Sequence, residues 1–257
     1  MSHRQISAFW GSVKTELAEW LRFIAVFLVV FLVFTTFVFA LFYIPSGSMR
    51  PSLDVGDRFV VSKWAYGFSR YSLPWGLARV LPPAKGRIFG AVPKRGDVVV
   101  FVSPKNAMVM VKRVIGLPGD VIETRGGRLY INGVRVPRTF LRISRYRDHY
   151  GQLRTAQVYA ERYAGSKHAH SIYEFSNQTV LDGWSPDDSG PFTVHDSHVF
   201  VMGDNRDNSN DSRAPNGPGQ IPLENLVGKA EVVLFTLARC RHEPGLDCPP
   251  PRLWRLL

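Results

Sequence analysis

Ser46 and Ser48 flank Gly47 in the segment Ile44-Pro45-Ser46-Gly47-Ser48-Met49, and Lys112 interrupts the apolar run Met108–Ile115 (MVMVKRVI). A serine hydroxyl is a weak nucleophile until a base stands beside it. A lysine is such a base only when it is neutral. Strand alternation places Lys112 on one face with Met110 and Val114, and Arg113 on the opposite face. Desolvation on a buried face favours the uncharged amine. Lowering a lysine from about 10.4 to about 7–8 takes about 3 units, or about 4 kcal/mol, which burial can supply. Each residue also has a plainer reading. A serine in a Pro-Ser-Gly-Ser turn commonly bonds its own backbone, and a lysine in a strand commonly snorkels from an edge. Residue type alone leaves both open.

Other chemistries fit less well. The seven histidines include His168 with His170 and His195 with His198, but none has His-Glu-x-x-His spacing. Ser48 lacks a Gly-x-Ser-x-Gly elbow, and Asp188-Ser189-Gly190 only faintly resembles a chymotrypsin-like serine context. The polar run from Asp204 fails as a calcium loop, with Arg206 third, Ser209 sixth and Pro215 twelfth. The two cysteines, Cys240 and Cys248, lack Cys-x-x-Cys spacing, which argues against zinc or a thioredoxin-like motif. Outside the cytoplasm they can close a short disulfide loop; the sequence leaves that open.

The elements that must hold these residues begin with a membrane-length run. Phe23–Tyr43 has no charged residue, and as a helix its 21 residues rise about 32 Å, close to a hydrocarbon core of about 30 Å. A cleaved export signal, with Val38-Phe39-Ala40 as its cleavage site, is the alternative, but the run is longer than the usual h-region. A retained anchor over residues 23–43, preceded by a cytoplasmic segment 1–22, is the expectation. Basic residues lie on both sides of the run, so charge does not fix its orientation. Pro45 and Gly47 then break the helix and leave Ser46 and Ser48 in a turn just outside the membrane. Beyond it, short β-branched segments follow one another: Arg58–Lys63, Asp97–Val102, Met108–Ile115, His198–Met202 and Glu231–Thr236. Asn132-Gly133 between Leu129–Ile131 and Val134–Val136 predicts a hairpin with a type I′ turn. The expected fold is all-β: a mainly antiparallel catalytic domain over 44–122 and 198–238, with a Pro-rich loop or ribbon over 66–95. An inserted smaller β domain spans 123–197, and a tail runs over 239–257. The net charge of +11 comes without basic–aromatic clusters or a nucleic-acid motif, so attraction to anionic headgroups explains it better than nucleic acid does.

Four segments, IPSGSMRPSL (44–53), KRGDVVVF (94–101), VKRVIGLPGD (111–120) and MGDNRDNSNDSR (202–213), stand in this order, and together they resemble the type I signal peptidase family. The resemblance is weaker between 123 and 197. It implies a serine endopeptidase that removes signal peptides from exported preproteins, with Ser48 as nucleophile and Lys112 as general base, and no metal or other cofactor. It further implies an oxyanion hole from the Ser46 hydroxyl and the Ser48 N–H, Ser209 orienting the Lys112 amine, and an Asp211–Arg213 ion pair supporting the site. Shallow apolar pockets for small substrate residues are carried over to Ile44, Met49, Leu53, Met110 and Val111. The implied location is the bacterial cytoplasmic (inner) membrane, single-pass, with the catalytic domain on the periplasmic side. Many family members have two N-terminal spans where this chain has one, and Arg50 and Ser52 occupy positions often filled differently. A related Ser–Lys protease, such as a pilus-assembly processing enzyme, and a non-catalytic membrane-tethered β module are the competing readings.

Overall fold

The computed structural model describes residues 3–73, 86–148, 150–166, 168–175, 184–237, 243–248 and 252–257. Helix α1 (His3–Phe37) carries the N-terminal apolar run. Val13–Thr35 within it is long and apolar enough to cross a membrane, and none of its most apolar window is buried against the rest of the chain. The helix starts before Phe23 and stops short of Tyr43. From Phe39 the chain is extended: β1 (Phe39–Tyr43) pairs antiparallel with β2 (Asp57–Ser62), Phe39 opposite Ser62 and Tyr43 opposite Arg58. The expected helix over 23–43 is therefore corrected at both ends. Hydropathy alone does not separate an apolar strand from the last turns of an apolar helix. The aromatic content of FALFY favours a strand, and β2 supplies the backbone partners that decide it.

The remaining architecture is antiparallel β-sheet, as expected. The largest sheet takes in β1, β2, β3 (Val98–Val102), β4 (Val109–Gly116), β12 (His198–Met202), β13 (Ile221–Pro222), β14 (Leu226–Thr236) and β15 (Leu253–Leu256). Its order is β1-β2-β14-β3-β4-β12-β13, with β15 paired to β14. Val98, Val99, Val100 and Phe101 of β3 are all buried, because cores form on both faces of this strand. That is why the segment reads as a continuous apolar run rather than an alternation. Val99 stands opposite Lys112 and Val98 opposite Arg113.

Between β4 and β12 the chain folds as two further sheets. One has the order β11-β5-β6-β7, from β5 (Val121–Arg125), β6 (Arg128–Ile131), β7 (Val134–Arg135) and β11 (Ser189–Thr193). The other has the order β10-β9-β8, from β8 (Arg138–Arg147), β9 (Leu153–Glu161) and β10 (His170–Glu174). Asn132 and Gly133 take φ of 53° and 76°, the left-handed pair that a type I′ turn demands. In the ribbon, Phe68 and Ile88 form a bridge, and Arg87 donates to the carbonyls of Tyr66, Gly67, Leu223 and Leu226. Pro74, Pro82 and Pro83 lie outside the described residues. In the tail, Cys248 is disulfide-bonded, while Cys240, the other cysteine of the chain, also lies outside them. At the end of the tail, β15 (Leu253–Leu256) joins the main sheet.

Candidate active site

Pro45 ends β1 and starts a loop whose base is tied shut. Ile44 N donates to Asp57 O at 3.0 Å and Gly56 N to Ile44 O at 2.9 Å. Inside this loop Gly47–Met49 form one 3-10 turn, which turns Met49 into the core and leaves the Ser46 and Ser48 hydroxyls on the other side, 3.4 Å apart. Met49 and Leu53 have no exposed surface and Ile44 only 2%; they anchor the loop from beneath.

Lys112 comes from the middle of β4. Its Nζ lies 2.7 Å from Ser48 Oγ, across 64 residues of sequence, and 3.1 Å from Val111 O. Lys112 is buried, which removes water from its ammonium and lowers its pKa from 10.5 to about 8. Asp211 and Asp204 oppose that fall. Each of these carboxylates has its own guanidinium, which limits how far it can stabilise the lysine charge. Arg213 Nε and Nη2 meet Asp211 at 3.0 Å each. Arg113 meets Asp204 at 2.8 and 2.6 Å. For both aspartates burial acts to raise the pKa, but the paired arginines outweigh it and hold the carboxylates ionised.

The segment 203–213 is thereby fixed against the Ser48 loop. Asn205 donates from its backbone N to Ser48 O at 3.1 Å and from Nδ2 to Gly47 O at 3.0 Å. Gly203 N donates to Asp211 Oδ2 at 3.0 Å. Only glycine fits at 203, since an added Cβ would stand 2.2 Å from Ser209 Oγ and 2.5 Å from Ser48 O. The β10-β9-β8 sheet grips the same segment from outside. Tyr173 N donates to Asp204 O and Arg206 N to Tyr173 O. Arg206 also pairs with the buried Glu161, which lies 3.5 Å from His170 Nε2.

The structure brings Ser46, Ser48 and Lys112 together and forms the Asp211–Arg213 pair. It corrects two other expectations. Ser209 does not bond the Lys112 amine, which contacts Ser48 Oγ and Val111 O; its hydroxyl instead helps to keep the neighbouring Asp211 carboxylate ionised. Ile44, Met49 and Leu53 do not line the pocket beside Ser48, because nearness in sequence to a 3-10 turn does not set which way a side chain faces. Met110 and Val111 do line it, together with Phe42, Tyr43, Phe59 and Val100 among others, around a volume of about 220 Å³. Sequence reasoning assigned no site role to Asn205, Asp204 or Phe42. The first two sit in the MGDNRDNSNDSR segment, where their density of hydrogen-bonding groups was the available signal; Phe42 was hidden inside the presumed span.

A family model described as signal peptidase, peptidase S26, matches residues 17–235. The signal peptidase I of Pseudomonas fluorescens is 40% identical over 215 residues, covering 80% of this chain and 68% of that protein. The signal peptidase I of Rickettsia typhi is 35% identical over 228 residues, covering 88% and 81%. A crystal structure of a signal peptidase I from Enterococcus faecalis V583 overlays with a TM-score of 0.32 at 28% identity, covering 53% of this chain and 95% of that one. With the matched region running from within the apolar helix to the end of β14, the chain belongs to the signal peptidase family, peptidase S26.

Proposed function

We propose that this enzyme removes signal peptides from exported preproteins by a Ser48–Lys112 dyad, acting at the outer face of the cytoplasmic membrane. The observation that carries the reading is the 2.7 Å contact between Ser48 Oγ and a buried Lys112 Nζ. Among the described residues no histidine bonds Ser48. Ser48 Oγ attacks the scissile carbonyl carbon and passes its proton to neutral Lys112. The tetrahedral oxyanion is met by the Ser48 N–H and the Ser46 hydroxyl. As the C–N bond breaks, Lys112 returns the proton to the leaving amine, and an acyl-enzyme forms on Ser48. Lys112 then takes a proton from water, whose oxygen attacks the ester and frees Ser48.

Substrate placement follows from the sheet. β12 pairs with β4 only from Arg113 onward, so among the described residues Val109–Lys112 have one strand neighbour, β3. Their free edge lies beside Ser48 and suits an extended peptide. The apolar pocket next to it favours short side chains on that peptide. The disulfide at Cys248 supports an oxidising compartment.

The test uses the full chain in detergent with a secretory precursor, comparing wild type with Ser48→Ala and Lys112→Ala. Wild type is expected to cut and both variants to be inert. The acid limb of kcat/KM is expected near pH 8, where Lys112 gives up its proton. Cleavage by Lys112→Ala would refute the dyad, and no cleavage of precursor by wild type would refute the substrate.

A further inference from the structure

The backbone that follows the nucleophile is held by a side chain from the other end of the molecule. Arg252, which immediately precedes β15, donates from Nη1 to Ser52 O at 3.1 Å and from Nη2 to Pro51 O at 2.8 Å. Its Nη1 also meets Asp57 Oδ2 at 2.5 Å. The Arg252 side chain is 8% exposed and that of Asp57 not at all. Asp57 closes the base of the Ser48 loop, accepting from Ile44 N through its carbonyl and from Asp54 N through Oδ2 at 2.7 Å.

Ser52 is gripped from two sides. Its Oγ accepts from Arg113 Nη2 at 3.2 Å, and its carbonyl accepts from Arg252. Arg113 directly follows Lys112 in β4. The loop carrying Ser48 is therefore fixed between one guanidinium rooted beside the lysine and another rooted on the C-terminal strand. Two adjacent carbonyls and a buried carboxylate sharing one guanidinium fork define a geometry that a lysine cannot reproduce.

We infer that Arg252 is a positioning residue for the reaction, holding the Pro51–Ser52 backbone so that Ser48 Oγ stays within reach of Lys112 Nζ. This rests on the Ser48–Lys112 reading. Without the guanidinium, two carbonyls lose this donor and the Asp57 carboxylate keeps only the neutral donors Asp54 N and Thr236 Oγ1, so the loop relaxes and water reaches Lys112. None of the bonds that Arg252 makes involves the pocket lining, so the effect falls on kcat and on the pH at which Lys112 becomes neutral. The groups that set that pH are Lys112 itself, Ser48 at its amine, and Asp204 and Asp211 with their partners Arg113 and Arg213.

The experiment compares full-length wild type, Arg252→Gln, Arg252→Lys and, as a control outside this network, Arg125→Gln, whose partner is Glu123 at the surface. Precursor cleavage is followed from about pH 6 to about pH 10, with thermal unfolding recorded for each protein. For Arg252→Gln, kcat is expected to fall about 10²-fold with KM changed by less than about twofold. Its acid limb is expected to move to higher pH, and added guanidinium to restore part of the rate. Arg252→Lys should fall between, and Arg125→Gln should match wild type. A folded Arg252→Gln with wild-type kcat overturns the inference, and so does a lower kcat with an unmoved limb, which would mark a merely structural role. Should Arg252→Gln fail to fold, the same two readings on Arg252→Lys decide. Cleavage by Ser48→Ala or Lys112→Ala would sink the dyad instead, whatever the Arg252 variants do.

Discussion

Replacing Lys112 by methionine should inactivate the enzyme and make it more stable. The folded protein holds this lysine at about 8, against 10.5 for the free side chain. At pH 7 that difference amounts to about 3 kcal/mol of folding free energy spent on burying the amine. Methionine fills a similar volume without a charge. The Ser48 hydroxyl loses its partner in exchange, at about 1 kcal/mol. The net gain is about 2 kcal/mol, or about 4–8 °C in Tm for a domain of this size. The sign with pH is fixed as well. Between about 8 and 10.5 the unfolded chain binds the proton that the folded protein has released, so wild-type stability rises with pH across that window. By pH 10 the penalty has dropped to about 1 kcal/mol, so the advantage of Lys112→Met should largely vanish. Thermal unfolding of both proteins in one detergent at pH 7 and pH 10 reads this directly. A variant no more stable than wild type at pH 7, or one whose advantage persists unchanged at pH 10, would refute the claim that burial depresses this lysine.

Three other substitutions probe separate parts of the site. Gly203→Ala forces a Cβ against Ser48 O and should cost about 1–3 kcal/mol in denaturant unfolding, with a parallel drop in precursor cleavage; unchanged stability would contradict the close approach. Asp204→Asn leaves Arg113 buried without its counter-charge and should destabilise by about 3–5 kcal/mol, whereas a loss under 1 kcal/mol would mean the pair is not desolvated. Phe42→Ala deepens the pocket beside Ser48, and the ratio of kcat/KM for a bulkier over a smaller substrate residue should rise about tenfold in a competition assay; an unaltered ratio would remove Phe42 from the specificity surface.

Much of this architecture was legible in residue pattern. Asp97–Val102 and His198–Met202 announce their strands through β-branched residues, and Asn132-Gly133 announces its hairpin because few other residues accept two left-handed backbones in succession. What stayed hidden was anything decided by a partner far away. The strand Phe39–Tyr43 is as apolar as the helix before it, and pairing with β2 is what distinguishes them. Arg113 and Asp204 lie 91 residues apart, and Arg252 reaches Ser52 across 200; no local periodicity carries such a contact. The pocket was misassigned for a related reason. Ile44, Met49 and Leu53 are the nearest apolar neighbours of Ser48 in sequence, but the 3-10 turn sends them to the opposite side of the loop.

The junction between α1 and β1 has a mechanical meaning. Val38 N still bonds Phe34 O in helical fashion, and by Phe39 the chain already runs in register with β2. No slack tether separates the hydrophobic rod from the sheet. For a bilayer-spanning α1, the height of Ser48 above the lipid is gauged by covalent geometry rather than by diffusion on a leash, which makes such a helix a spacer as well as an attachment.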